Sequence, residues 1–266
     1  MMQNSKRRKW VLIRGLARGQ KHWGEFAEAL QAEYPQDEFL FLDLAGNGSR
    51  FQEKSAASIS MALLDLRRHY HLPVDGKYHL VSISMGSMVA LEWFKQFPNE
   101  IEHVFCINTS SRFSPFFKRL KFESMFTLAK AIFLSVEERE KLILRLTSNH
   151  PEMRKKYEEL FIQESLQHPV QIKNFFLQLW SASQYHPPKK NEVEGRRLHF
   201  LVSRYDRLCD FSCSQALAQN YQSNLSTHEQ AGHDLPLDDE SWLRDQIRAT
   251  LDSISKVHSN TNPRGL

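Results

Sequence analysis

Short apolar runs alternate along this chain with longer segments in which apolar residues recur at helical spacing, and this alternation limits the folds open to it. Strands are predicted at 10–13, 39–42, 79–83, 104–107, 198–202 and, more weakly, 225–230. Helices are predicted between them at 22–34, 56–70, 86–97, 213–219 and 242–254. Apolar strands separated by amphipathic helices favour an α/β fold with a mostly parallel, doubly wound sheet. Right-handed crossovers then place the carboxyl ends of the strands, and any active site, along one edge.

One interval breaks this alternation. Between 110 and 195 there is no convincing strand, and the stretch 116–185 is rich in helix formers and aromatic residues. This interval is too long for a loop, so it predicts a helical cap inserted between two strands. The predicted division is a core at 1–109 and 196–257, a cap with its linker at 110–195, and a disordered tail at 258–266.

The sequence Ser-Ile-Ser-Met-Gly at 82–86 links a predicted strand directly to a predicted helix. A serine at such a sharp turn stands clear of the sheet edge, and the turn requires small residues two positions before and after it. Ser84 is therefore the candidate nucleophile. Ser60 has the same spacing of small neighbours, but it lies within the predicted helix 56–70 and is interpreted as a helix residue.

Four further stretches stand in a recognisable order with this turn: Arg-Gly-Leu at 14–16, the glycine-rich 43–49, Ser-Arg-Tyr-Asp at 203–206 and Ala-Gly-His-Asp at 231–234. Together they resemble the α/β-hydrolase superfamily over nearly the whole chain, from Trp10 to about Ile254. The resemblance implies an acid at Asp206, a histidine base at His233 and an oxyanion-hole amide in the loop 14–16. The segment 43–49 is expected to form a tight structural turn.

The chemistry explains why these residues belong together. A serine hydroxyl is a weak nucleophile near neutral pH, so an imidazole must accept its proton; His233 is the candidate, and Asp206 would orient it. The chain order of Ser84, Asp206 and His233 is the order that the fold requires. Asp210 remains an alternative acid or a helix cap. If neither aspartate served, an acid would be needed after the strand 104–107, where 108–110 offers none.

A tetrahedral intermediate also needs donors for its oxyanion. The backbone amides of Met85 and Leu16 are the candidates, and Met85 begins a helix whose dipole favours negative charge there. Many relatives carry a histidine where this chain has Arg14. Arg14 is therefore expected either to bind an anionic group of the substrate or to be ion-paired or solvated.

A serine nucleophile favours acyl transfer to water, from esters or thioesters. Aromatic cap residues such as Phe113 and Trp180 are expected to form an apolar acyl pocket, the alternative being that they pack within the cap. The stretch 109–111 and the aromatic residues after it are weakly similar to the methyl-ester esterase of biotin synthesis. That likeness implies a possible acyl-carrier-protein partner, contacted through Lys118, Arg119 and Lys121.

Composition and charge argue against several other classes of protein. The net charge is only +4, and basic residues, apart from the tract at 6–9, are interspersed with acids, so no nucleic-acid footprint is expected. Three cysteines are too few for a disulfide framework, and no apolar run is long enough for a membrane span or a signal peptide. A cytoplasmic protein without metal or cofactor is expected.

The sequence thus predicts a serine hydrolase that cleaves a small or medium carboxylic ester or thioester through an acyl-enzyme. The alternatives are a hydrolase-fold protein that binds a ligand or partner without catalysis, an acyltransferase, and a carbon–carbon bond hydrolase that uses the same three residues.

Overall fold

A single sheet of six parallel strands forms the centre of the computed structural model, which describes residues 7–260 and, in the last helix, side chains as far as Ser253. The strand order is β2-β1-β3-β4-β5-β6. The strands are β1 (Lys9–Ile13), β2 (Glu38–Leu42), β3 (Tyr78–Ile83), β4 (Ile101–Ile107), β5 (Leu198–Ser203) and β6 (Asn224–His228). All six predicted strands are present, and the doubly wound parallel sheet is confirmed.

Helices cover both faces of this sheet. The core helices are α1 (Glu25–Glu33), α2 (Ile59–His69), α3 (Met85–Gln96), α9 (Ser212–Tyr221), α10 (Leu235–Asp238) and α11 (Glu240–Asn260). Side chains of α2, α3 and α9 pack against alternate residues of the strands on one face, and those of α1 and α11 pack on the other. Strands that are buried on both faces explain the near-continuous apolar runs in the sequence.

The interval between β4 and β5 is helical, as expected of a cap. It contains α4 (Phe116–Arg119), α5 (Phe122–Ala131), α6 (Val136–Thr147), α7 (Pro151–Gln167) and α8 (Ile172–Gln184). Within residues 7–260, no helix combines the length and the apolar character that crossing a bilayer requires.

The predicted disordered tail, 258–266, begins inside the last helix. The backbone of α11 is helical as far as Asn260, so residues 258–260 are helical rather than disordered. The prediction for 261–266 lies outside the described residues.

The strand order reverses direction between β1 and β3, which is where ligands bind in open parallel sheets. Ile13 pairs with Ser82, Ser82 with Cys106, and Ile107 with Leu201, so the strand ends lie at one level. The loops that follow β1, β3, β4 and β5 therefore meet at the carboxyl edge of the sheet. This register places the predicted site residues together.

Three histidines lie side by side on neighbouring strands near the opposite end of the sheet. His79 stacks on His103 with ring centroids 5.6 Å apart, and His103 lies 5.3 Å from His199. Burial, together with the neighbouring His103, lowers the pKa of both His79 and His199 to about 3. Both imidazoles are therefore neutral in the folded protein at any ordinary pH.

This burial predicts that acid destabilises the fold. In the unfolded chain each histidine takes up a proton below about pH 6.5, whereas the folded His79 and His199 resist protonation down to about pH 3. Each histidine therefore contributes stability that is fully present above pH 6.5 and is lost as the pH falls towards 3. At pH 5 the loss from each histidine is roughly 2 kcal/mol. His79→Phe should retain about that much more of its neutral-pH stability at pH 5 than the native protein, as measured by urea unfolding. Equal acid losses in the two proteins would contradict the assignment.

Candidate active site

Ser84 occupies the turn between β3 and α3 in a conformation that non-glycine residues rarely adopt, with φ 56° and ψ −122°. Its amide donates to the carbonyl of Ile107 at 2.8 Å, and its own carbonyl accepts from Oγ1 of Thr109 at 2.9 Å. Such a conformation costs about 1–3 kcal/mol and persists only where its surroundings hold it. The turn predicted from the sequence is therefore present, and neighbouring strands hold it in place.

Two glycines allow the loop after β1 to press against this turn. A Cβ atom on Gly86 would overlap the carbonyl oxygen of Ile13 and lie 2.7 Å from that of Arg14. A Cβ on Gly15 would lie 3.0 Å from the Cβ of Ser84 and 3.5 Å from the amide nitrogen of Met85. The start of α3 and the loop 14–16 thus make backbone contact, which explains why small residues are required there.

His233 lies at the same edge, in the loop between β6 and α10. Its Nδ1 donates to Oδ2 of Asp206 at 2.6 Å, and both side chains are buried. The other carboxylate oxygen of Asp206 accepts from the amides of Leu208 at 2.7 Å and Cys209 at 2.9 Å. With Nδ1 engaged in this way, Nε2 of His233 is the nitrogen left for a reacting group.

Asp210, the alternative acid, has a different role. Its carboxylate accepts from the amide of Ser212 at 3.0 Å at the start of α9, and it lies 3.9 Å from Nζ of Lys121. Its carboxylate therefore bonds the backbone of the first residue of α9. His233 contacts Asp206 and not Asp210.

Ser84 and His233 share the wall of a cavity of about 250 Å³ beneath the cap. A second cavity of about 80 Å³ also contacts both residues, together with Leu16, Met85 and Met88. Within the described chain no hydrogen bond joins the Ser84 hydroxyl to His233; catalytic hydrogen bonds are often long in a site that holds no substrate. The larger cavity is lined mainly by apolar side chains, and those from the cap lie on α5, α6, α8 and the loop before α8: Leu128, Ala131, Ile143, Val170, Ile172 and Phe175.

The loop that carries Leu16 is held from two directions. Nδ2 of Asn47 donates to the carbonyls of Gly15 at 3.3 Å and Arg18 at 3.2 Å. From the cap, Oε1 of Gln178 accepts from the amide of Ala17 at 2.9 Å, while its Nε2 donates to Asn47 at 2.7 Å. The glycine-rich segment 43–49 is thus a structural turn that braces this loop, as expected.

Arg14 is buried and ion-paired. Its two terminal nitrogens donate to the two oxygens of Asp234 at 2.9 and 2.7 Å. Arg14 also lines the larger cavity, but its charge is already neutralised, so the prediction that it binds an anionic substrate group is not supported and the ion-paired alternative describes it. The pair joins the loop after β1 to the loop that carries His233.

The two other residues predicted to bind substrate, Phe113 and Trp180, are 53% and 59% exposed, and neither lines the cavities that contact Ser84. The basic residues expected to face a carrier protein are partly engaged inward. Arg119 donates to the carbonyls of Ala182 and Ser183, and Lys121 donates to the carbonyl of Asp206 at 2.6 Å.

Asn108 is a site residue that sequence analysis missed. It follows β4, where no acid was available, and its Nδ2 donates to the carbonyl of His233 at 2.8 Å and to Oγ of Ser203 at 3.0 Å. Its Oδ1 accepts from the amide of Ser203 at 2.7 Å. A buried amide that bonds two different loops in this way fixes the histidine loop against β5. Its positive φ of 44° is the only local sign of special geometry, and a sequence does not display it.

The sequence matches the model of the alpha/beta hydrolase family over residues 10–245, so the chain belongs to that family. A comparison with curated protein sequences finds no match. Similar solved structures include an esterase from Rhodococcus sp. ECU1013, with TM-score 0.72, 14% identity, and coverage of 94% of this chain and 92% of that one.

A serine hydrolase from Cycloclasticus zankles is similar to the same degree, with TM-score 0.72, 15% identity, and coverage of 94% and 91%. The 2-hydroxy-6-oxo-6-phenylhexa-2,4-dienoate hydrolase from Rhodococcus sp. strain RHA1 has TM-score 0.67, 16% identity, and coverage of 92% and 91%. At these identities the likeness shows the α/β-hydrolase fold. The family and its neighbours support hydrolase activity and leave the substrate open.

Breaking the pair of Arg14 with Asp234 should destabilise the fold strongly. Arg14→Met or Asp234→Leu leaves one buried charge without its partner, and each should lower the free energy of unfolding by about 3–5 kcal/mol. The double variant should lose clearly less than the sum, because no unpaired charge remains. Denaturant unfolding measures all three.

The matched control is the exposed pair of Arg204 with Glu229, which has similar geometry at 2.6 Å. Arg204→Met should cost less than about 1 kcal/mol because solvent screens that pair. Losses of similar size at the two sites would show that the buried pair has no special structural role.

Proposed function

We propose that this protein is a serine hydrolase that cleaves a small or medium carboxylic ester or thioester through an acyl-enzyme. The observation that carries the proposal is the strained turn at Ser84, which shares an apolar cavity with a buried imidazole already held by a carboxylate. A serine held in this way, beside a base whose second nitrogen is available, is suited to nucleophilic catalysis.

In the proposed reaction the Ser84 hydroxyl oxygen attacks the ester carbonyl while Nε2 of His233 accepts its proton. Rotation of the serine side chain brings the hydroxyl to the imidazole when substrate binds. The tetrahedral intermediate collapses, the carbon–oxygen bond to the alcohol breaks, and His233 returns the proton to the leaving alkoxide. Water then repeats the sequence on the acyl-enzyme, releasing the acid and restoring the serine. Asp206 orients the imidazole and stabilises its charged form throughout.

The amides of Met85 and Leu16 are proposed to bind the oxyanion. Support comes from the placement of Gly15 against Ser84 and Met85, which brings the loop 14–16 within contact of the turn. Asn47 and Gln178 hold that loop from outside, so the donors are ordered before the substrate arrives. Preorganised donors of this kind stabilise a transition state because they need no reorganisation during the reaction.

The two cavities suggest how an ester is placed. Both contact Ser84 and His233, so a scissile bond at the serine would extend one substituent into about 250 Å³ and the other into about 80 Å³. The larger, apolar cavity suits the acyl chain and the smaller one suits a short alcohol. A cytoplasmic setting is also proposed, supported by three buried cysteines that form no disulfide.

The proposal predicts covalent labelling at one serine. A fluorophosphonate probe should label the native protein and should not label Ser84→Ala, as measured by intact-protein mass spectrometry. Asp206→Asn should reduce ester hydrolysis by roughly 10⁴-fold, because the imidazole loses the partner that sets its tautomer.

Ser60→Ala is the matched control for this experiment, because Ser60 has the same spacing of small neighbours but lies within the first turn of helix α2. That variant should label as well as the native protein. Absence of labelling in the native protein would favour a binding protein without catalysis. If added alcohols take up the acyl group in preference to water, so that more new ester than free acid forms, the result would favour an acyltransferase.

The larger cavity should set the acyl length. Ile143 lines it from α6 and does not line the smaller cavity, so Ile143→Phe should reduce kcat/KM for longer acyl esters by about tenfold or more while sparing acetate esters. Ile143→Ala should shift the preference towards longer chains. A series of p-nitrophenyl esters of increasing chain length measures both effects. If kcat/KM changed by the same factor for every ester in the series, the acyl chain would bind outside the larger cavity.

A further inference from the structure

The cap exposes a row of aromatic side chains on α5. Phe122 and Phe126 are four residues apart, so they share one side of α5, and Phe133 follows in the turn just after the helix. Phe126 is 73% exposed and Phe133 is 88% exposed. Three large exposed apolar side chains so close together in the chain are unusual for a monomeric soluble domain.

A second row runs along α8. Ile172, Phe176 and Trp180 are each four residues apart, so they also share one side of their helix, and all three are at least half exposed. We refer to Phe122, Phe126, Phe133, Ile172, Phe176 and Trp180 together as the aromatic rim.

Both helices also contribute to the wall of the larger cavity. Leu128 and Ala131 line it from α5, and Ile172 and Phe175 line it from α8. Ile172 is both a lining residue and 55% exposed, so the row on α8 continues from the cavity wall to the surface. The aromatic rim is therefore carried by the same two helices that line the cavity at Ser84, and it meets that cavity at Ile172.

Exposed lysines lie on the same elements as the aromatic rim. Lys130 on α5 and Lys173 on α8 are exposed, and neither forms an ion pair with the side chains described in residues 7–253. Lys118 is also exposed just before α5, and α8 contains no acidic residue; the exposed acids nearest in the chain are Glu123 on α5 and Glu137 and Glu138 at the start of α6. A surface with exposed phenylalanines and lysines fits a partner that is apolar beneath a layer of negative charge.

We propose that the aromatic rim docks on an anionic lipid surface and so opens the cavity mouth directly to the acyl layer. Phenylalanine and tryptophan side chains enter the boundary between headgroups and acyl chains, while lysines interact with anionic headgroups. An acidic protein partner would account for the lysines but would leave the exposed aromatic rows unexplained. Ile172, which belongs both to the aromatic rim and to the cavity wall, connects this surface to the cavity that contacts Ser84.

The test is co-sedimentation with vesicles. The native protein should bind vesicles of equal parts phosphatidylcholine and phosphatidylglycerol, and should bind pure phosphatidylcholine vesicles much more weakly. Phe126→Ser/Phe133→Ser should reduce binding to the anionic vesicles by about tenfold or more, because two exposed aromatic anchors are lost. Lys130→Gln/Lys173→Gln should reduce it by a similar factor and should remove the preference for anionic lipid.

The matched controls replace equally exposed residues away from the aromatic rim. Met61→Ser/Val74→Ser removes exposed apolar side chains of the core, and Lys54→Gln/Lys155→Gln removes two exposed lysines elsewhere. Both control variants should bind vesicles as the native protein does. All the substituted side chains are exposed, so circular dichroism should show native folding throughout.

Three results would overturn the proposal. The first is native binding to anionic vesicles that the Phe126→Ser/Phe133→Ser variant retains in full. The second is a concentration-dependent dimer, seen by analytical ultracentrifugation, that this variant abolishes, since the aromatic rim would then be an interface between two copies. The third is tight binding of an acidic acyl-carrier protein that depends on the same residues while vesicles do not bind.

The proposal goes beyond ester hydrolysis and is tested separately from it. The aromatic rim variants should keep native kcat/KM for a short water-soluble ester, because Phe126 and Phe133 line neither cavity at Ser84. Vesicle binding without any esterase activity would contradict the proposed function and support the docking surface. Esterase activity without vesicle binding would support the proposed function and contradict the docking surface.

Discussion

The buried ion pair of Arg14 with Asp234 is the interaction on which the rest of the site depends. It connects residues 220 positions apart and fixes the loop after β1 to the loop that carries His233. Burying two charges costs several kcal/mol per ion, so such a pair adds little net stability by itself. Its consequence is geometric, because an alternative placement of either loop would leave an unpaired buried charge. Asn108 fixes the same histidine loop from β4, and the turn at Ser84 lies between these two supports.

The cap is built into this arrangement and does not merely lie above it. The carbonyl of Thr147, at the end of α6, accepts from the amide of Asp234 at 2.8 Å, and Asp238 accepts from the amides of Asn149 and Gly232 at 2.9 and 2.6 Å. On the other side, Gln178 of α8 bonds the loop beside Leu16. Helices of the cap thus hold both the loop that carries His233 and the loop that carries Leu16. Substitutions in these cap residues affect the geometry at Ser84 as well as access to it.

The sequence predicted what depends on local pattern and on strand order. All six strands were predicted because buried parallel strands are apolar throughout, and Ser84 and His233 were brought together because loops after parallel strands share one edge. The partners of Arg14 and Asn108 could not be predicted, since a side-chain pair between distant loops leaves no mark on spacing. The surroundings of Trp180 could not be predicted either, because an apolar row on a cap helix has the same pattern whether it faces a cavity or solvent.

That ambiguity has a physical answer in α5. Leu128 and Ala131 line the cavity while Phe122 and Phe126 face outwards, so this helix is apolar on two opposite sides. The cavity covers one of these sides, and the other side faces water, as do Phe176 and Trp180 of α8. Packing against the cavity therefore explains only one of the two apolar sides of α5. The exposed side keeps a cost in water that burial against an apolar partner would remove, and the proposed lipid surface is such a partner.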